Sequence, residues 1–92
     1  MDTISPNDLI AAKTGEFLRS ARMQAGLSRE TATRKLRYSK KERLEQYERG
    51  FSVPFHELAR IIEEYGVPKQ LVEQFFVDIQ HDIWLLKKDS PI

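Results

Sequence analysis

Residues 28–50 read SRETATRKLRYSKKERLEQYERG, and the caps and charges in this stretch govern how the remaining residues are interpreted. Ser39 followed three residues later by Glu42 has the form of a capping box, in which each residue satisfies the other's backbone N–H. A helix is therefore expected over Lys40–Arg49, closed by Gly50 with Pro54 soon after. Ser28 fits the N-cap of a preceding helix over Arg29–Arg37, whose Ala32 and Leu36 are spaced i,i+4 on one face. The two segments are joined by a tight, basic turn from Arg37 to Ser39.

Towards the N-terminus, Ser5-Pro6-Asn7-Asp8 is a good helix start, with Ser as N-cap, Pro at the first helical position and Asp facing the positive end of the helix dipole. Ile10, Thr14, Phe17, Ala21 and Ala25 then recur at helical spacing beside Leu18, up to Gln24 and the exit at Gly26. Gly15 costs about 1 kcal/mol relative to Ala in a helix interior, so two readings stay open: one long helix, or a short one followed by another from about Gly15. On the other side, Phe55, Leu58, Ile61, Ile62 and Tyr65 form the expected core face of a fourth helix ended by Gly66. A fifth helix is expected after Pro68, over residues 68–86, with an unusually wide apolar surface. Its Phe75, Phe76, Ile79, Ile83 and Trp84 are the candidate contact with a second copy of the chain, and wrapping of the first helix is the competing use.

Ninety-two residues make one small domain with a single core, expected to span 1–92. At 40% hydrophobic and 32% charged residues the composition is globular, and the spacing points to an all-α class. Cysteine is absent, which excludes disulfides and thiolate metal sites. The opening MDTISPND is acidic and polar, unlike a secretory signal, and no apolar run approaches the roughly 20 residues of a membrane span. A cytoplasmic protein without membrane attachment is expected.

The formal charge of +1 hides an asymmetry: residues 13–50 carry eleven Lys and Arg against five Glu, while residues 51–92 carry four against seven acidic residues. A basic half suits a polyanion on one face and self-association on the other, although solvated surface helices give the same stripe. A helix, a break and a second helix with cations at its start is also the outline of a DNA-reading helix-turn-helix. Catalytic constellations are not evident: His56 and His81 are the two histidines, without a metal-ligand spacing, and Asp78 and Asp82 beside His81 read as a solvated face. No phosphate loop or nucleophile triad can be picked out. No enzymatic activity, cofactor or metal is expected.

Leu18 to Ser28, LRSARMQAGLS, resembles the first helix and turn of the Cro/phage-repressor-like (xenobiotic-response-element type) helix-turn-helix family. Glu48-Arg49-Gly50 resembles the end of that family's recognition helix, and Leu58 to Val67, LARIIEEYGV, its fourth helix and glycine exit. The resemblance spans about residues 15–72. It implies a five-helix, lambda-repressor-like DNA-binding domain, here with an extended apolar C-terminal helix, whose third helix enters the major groove. It further implies a homodimer on a palindromic operator in double-stranded DNA, acting as a transcriptional regulator of repressor or antitoxin type.

Carried over by position, Arg22 and Glu48 match a buried pair that locks the first helix to the third. Arg29 falls where relatives place a phosphate-contacting residue, and Lys41, Glu42 and Gln46 fall on base-reading positions with Lys40 and Arg43 beside them. Phosphate affinity would rest on Arg29, Arg34, Lys35, Arg37, Lys40, Lys41 and Arg43, because Glu42 and Glu45 repel phosphate. Three departures stand out: the turn is one residue longer than usual, Arg37 replaces a glycine, and Thr33 replaces a smaller Ala. The alternative function is a protein interaction module that keeps this fold and binds a partner through the C-terminal helix without reading DNA.

Overall fold

A computed structural model describes residues 5–88. Met1 to Ile4, part of the stretch read as unlike a secretory signal, and the last four positions of the expected 1–92 domain lie outside the described residues. The order is α1 (Pro6–Gln24), α2 (Arg29–Lys35), α3 (Lys41–Glu48), α4 (Phe55–Tyr65) and α5 (Lys69–Lys88), with no strand among the described residues. The fold is thus the five-helix, all-α class expected from spacing and caps.

Helix α1 is continuous. Ser5 caps it by accepting from the Asp8 N–H at 3.1 Å, with Pro6 in the first turn. Gly15 does not divide it, because the residue is required for packing: a Cβ there would lie 2.6 Å from the Tyr47 carbonyl oxygen and 2.8 Å from that of Glu48. The absent side chain lets the middle of α1 lie directly on the end of α3. Ser28 caps α2 through the Thr31 N–H at 3.1 Å.

The join between α2 and α3 departs from the expected boundaries. Helix α2 stops at Lys35, and Arg37 takes the left-handed conformation at φ +60°. The Tyr38 N–H returns to the Thr33 carbonyl at 3.1 Å and the Arg37 N–H to the Arg34 carbonyl at 3.0 Å, the bonding pattern of a Schellman turn. A Cβ is strained at positive φ, so Arg37 stands where glycine would sit without strain. The Ser39–Glu42 capping box does not form. Lys40 is extended (φ −132°, ψ 134°) and occupies the N-cap without a side-chain hydrogen bond, so α3 starts at Lys41.

The core is built from Leu18, Ala21, Ala32, Leu36, Leu44, Leu58, Ile61, Tyr65 and Phe75. Phe55 is a correction to the expected core face of α4. It sits in the first turn and is 74% exposed, because the helices that cover Leu58, Ile61 and Tyr65 do not reach it. Helix α5 runs on to Lys88 and packs on α1, with Phe75 stacked on Phe17 at 4.1 Å between ring centroids and Lys13 3.9 Å from Asp82. No described helix is long and apolar enough to cross a membrane.

Candidate nucleic-acid interface

The third helix presents two unlike faces because of its residue order. Leu44 is fully buried and Tyr47 packs against the core, while Lys41, Glu42, Arg43 and Gln46 stay in solvent. Glu42 and Gln46 are one turn apart, and Arg49, three residues beyond Gln46, continues their outward row. Lys41 shares a flank with the half-buried Glu45, and Arg43 leans the other way, over the ring of Tyr38 at 5.3 Å. Arg49 is absent from the residues expected to face DNA because its place beside Gly50 marks the end of the helix, although its i,i+3 spacing from Gln46 places it on the same outward row.

Hydrogen bonds to Glu48 fix how this helix is held. Arg22 of α1 donates through Nε to Glu48 Oε2 at 2.7 Å and through a terminal nitrogen to Oε1 at 3.2 Å. Its other terminal nitrogen donates to the Leu27 carbonyl at 2.9 Å, so the buried guanidinium ties α1, the following turn and α3 together. The Glu48 side chain is 2% exposed, and Arg29 reaches the same carboxylate, Nε to Oε1 at 3.5 Å. Arg29 is thus half anchored rather than free, with the rest of its guanidinium at the surface at the start of α2. Tyr65 lies close by; burial and the Glu48 charge push its phenol up to about 12, while Arg22 opposes the shift.

Around α3 the basic residues Arg34, Lys35, Arg37, Lys40, Lys41 and Arg43 are all exposed, and among the described residues none has a carboxylate within 4 Å. Unpaired surface cations beside an exposed polar helix can meet a row of phosphates while the helix side chains offer donors and acceptors to base edges. Thr33, buried on α2, satisfies its hydroxyl on the Arg29 carbonyl at 2.7 Å and needs no partner from α3.

The residues expected to mediate self-association are divided by the structure. Phe75 belongs to the core of its own chain and is removed from the candidate contact, since stacking on Phe17 leaves it 7% exposed. Ile79 and Ile83 are partly covered, whereas Phe76 and Trp84 are 40% and 56% exposed, with Val77 beside them. Trp84 packs with His81 and Lys88 along α5 itself. A groove of about 540 Å³ runs between α1 and α5 and is lined by Phe17, Gln74, Asp78 and Asp82 among others. Among the described residues no group of three or more His, Asp or Glu is placed to hold a metal ion.

Comparison with curated proteins and with solved structures finds no match. A family model of the helix-turn-helix domain matches residues 14–75, from the middle of α1 to Phe75 of α5. That span takes in the Gly15 contact, the Arg22–Glu48 pair, both helices of the basic stretch and the turn between them. The chain belongs to the helix-turn-helix domain family, in agreement with its Cro/phage-repressor-like resemblance.

Proposed function

We propose that this chain is a sequence-specific regulator of transcription that binds double-stranded DNA as a homodimer, with α3 in the major groove. The family supports a DNA-binding regulatory role. The finer reading rests on one observation, the pairing of an exposed polar face on α3 with six cations that lack a carboxylate partner among the described residues. Lys41 suits guanine O6 and N7, Gln46 the adenine edge and Glu42 cytosine N4, while Arg29, Arg37, Lys40 and Arg43 take the backbone. Repression or antitoxin-type autoregulation of an operator fits a small domain of this kind, which works by binding and not by catalysis.

A homodimer would bring two copies of α3 to half-sites about 34 Å apart on a palindromic operator. Its contact is assigned to the outer flank of α5, where the exposed Phe76 and the partly covered Ile83, and the exposed Val77 and Trp84, form two adjacent rows at i,i+7. A second reading, a protein partner held by α5, is favoured by one feature: Leu71 and Leu85 are also exposed, on another side of the same helix.

Selection of random duplexes on the purified chain, followed by binding to the enriched duplex across a salt series, tests the proposal. A shared motif and steep weakening with salt are expected. A motif-free pool, or retention unaffected by Lys41→Ala with Arg43→Ala, would show the assignment of α3 to be wrong. Phe76→Glu should give a monomer by sedimentation, and an unchanged mass counts against the α5 contact.

A further inference from the structure

The turn between α2 and α3 delivers a side chain whose surroundings the DNA-reading assignment does not account for. Tyr38 leaves the left-handed Arg37 turn toward α4, where its hydroxyl donates to Glu57 Oε2. Arg60, one turn along α4, donates to the same carboxylate at 3.2 Å. The guanidinium carbons of Arg43 from α3 and Arg60 from α4 both lie 5.3 Å from the centre of the Tyr38 ring, which makes a T-shaped pair with Tyr47 at 6.3 Å between centroids. Two cations from two helices are therefore gathered on one aromatic ring, with a single carboxylate beside the second of them. The cluster keeps a net positive charge, and Arg43 has no carboxylate within 4 Å among the described residues.

We infer that Tyr38 is a positioning residue that holds Arg43 and Arg60 as a pair of phosphate-contacting arginines beside the recognition helix. The inference rests on the DNA-binding reading and assigns Arg60, Tyr38 and Glu57 parts in it. An arginine otherwise loses its rotamer freedom when it meets a phosphate; holding the guanidinium over a fixed ring removes part of that freedom in advance and still leaves N–H donors for the phosphate. The Glu57 carboxylate accepts from both Tyr38 and Arg60, which keeps the second arginine beside the ring without touching Arg43, while the packing of Tyr38 against the core holds the ring itself.

The test uses the full chain and a random-sequence duplex, because phosphate binding by arginine is independent of sequence. Removal of one arginine from the phosphates should flatten the plot of log affinity against log salt by about 0.9. Arg43→Ala and Arg60→Ala should each do so, and their combination should flatten it by about 1.8. Tyr38→Leu should match the double variant and add nothing when combined with it, whereas Tyr38→Phe, which keeps the ring, should retain the wild-type slope despite losing the Glu57 bond. A thermal melt by circular dichroism establishes that each variant is folded. The inference is overturned if either arginine variant keeps the wild-type slope, if folded Tyr38→Leu keeps it, if the effect of Tyr38→Leu adds to that of the double variant, or if Tyr38→Phe behaves like Tyr38→Leu. Should Tyr38→Leu not fold, the arginine variants and Tyr38→Phe still decide the outcome. A wild-type chain that binds no duplex overturns the DNA-binding proposal and this inference together; one that binds with a steep slope the variants leave untouched overturns this inference alone.

Discussion

Replacing Gly15 by Ala sets local preference against tertiary packing, with opposite signs. In an isolated helix the change is favourable by about 1 kcal/mol, since glycine loses more backbone entropy than alanine on becoming helical. In this protein the new Cβ would stand 2.6 Å from the Tyr47 carbonyl oxygen and 2.8 Å from that of Glu48, and ordinary contact begins near 3.4 Å. Restoring it requires the end of α3 to move away by roughly 0.8 Å. Both clashing atoms are backbone, so no side chain can rotate aside, and the segment that must shift carries Glu48, whose bond to Arg22 is 2.7 Å long. Overpacking of this kind costs about 1–3 kcal/mol, and with no flexible atom to yield the upper end applies. After subtracting the helix preference the net loss is about 2 kcal/mol, a fall in melting temperature of about 8–16 °C for a domain this size. Thermal melts by circular dichroism and urea titration on both proteins measure it. An unchanged or raised melting temperature would refute the reasoning, since it would mean that α1 and α3 do not approach as closely as the glycine requires.

Glu48→Gln should destabilise the fold by about 3–5 kcal/mol, because the Arg22 guanidinium stays buried without its counter-charge, and a urea midpoint shift equivalent to less than about 1 kcal/mol would contradict the pair's role. Arg37→Gly should raise stability by about 0.5–1 kcal/mol, as relief of the strained positive φ exceeds the added entropy of the unfolded chain, while flattening the salt dependence of duplex binding by the one phosphate contact assigned to it. Acid melts should show a contribution from Glu57. Its carboxyl is held below its ordinary value of 4.5 first by the Tyr38 hydroxyl and then by Arg60, so its stabilisation is present above pH about 4.5 and is lost as pH falls through the lower folded value. Glu57→Gln should therefore flatten the acid side of the melting-temperature profile, and a wild-type-like profile in that variant would count against the Tyr38–Glu57–Arg60 cluster.

Where most helices begin and end is written locally in the chain. The Ser5–Pro6 and Ser28 caps and the exits at Gly26, Gly50 and Gly66 each act within about four residues, so all the interacting groups are visible in a short window of sequence. Helical spacing likewise separated the buried Leu44 from the exposed Lys41, Glu42, Arg43 and Gln46. Placing Arg22 against Glu48 needed the family resemblance, because nothing local links residues so far apart in the chain. The rest was settled by how the helices pack. Phe55 and Phe75 are both phenylalanines on apolar faces, yet one is in solvent and the other in the core, since burial depends on which helix lies opposite. Ser39 has a sound capping sequence that goes unused, because the Arg37 turn and the anchoring of Tyr38 on α4 set the path of the chain into α3. The ring that gathers Arg43 and Arg60 joins the turn and α3 to the more distant α4, and no periodicity announces it. Gly15 makes the same point most simply: its local preference speaks against a helix, and the close approach of α3 is what requires it to be glycine.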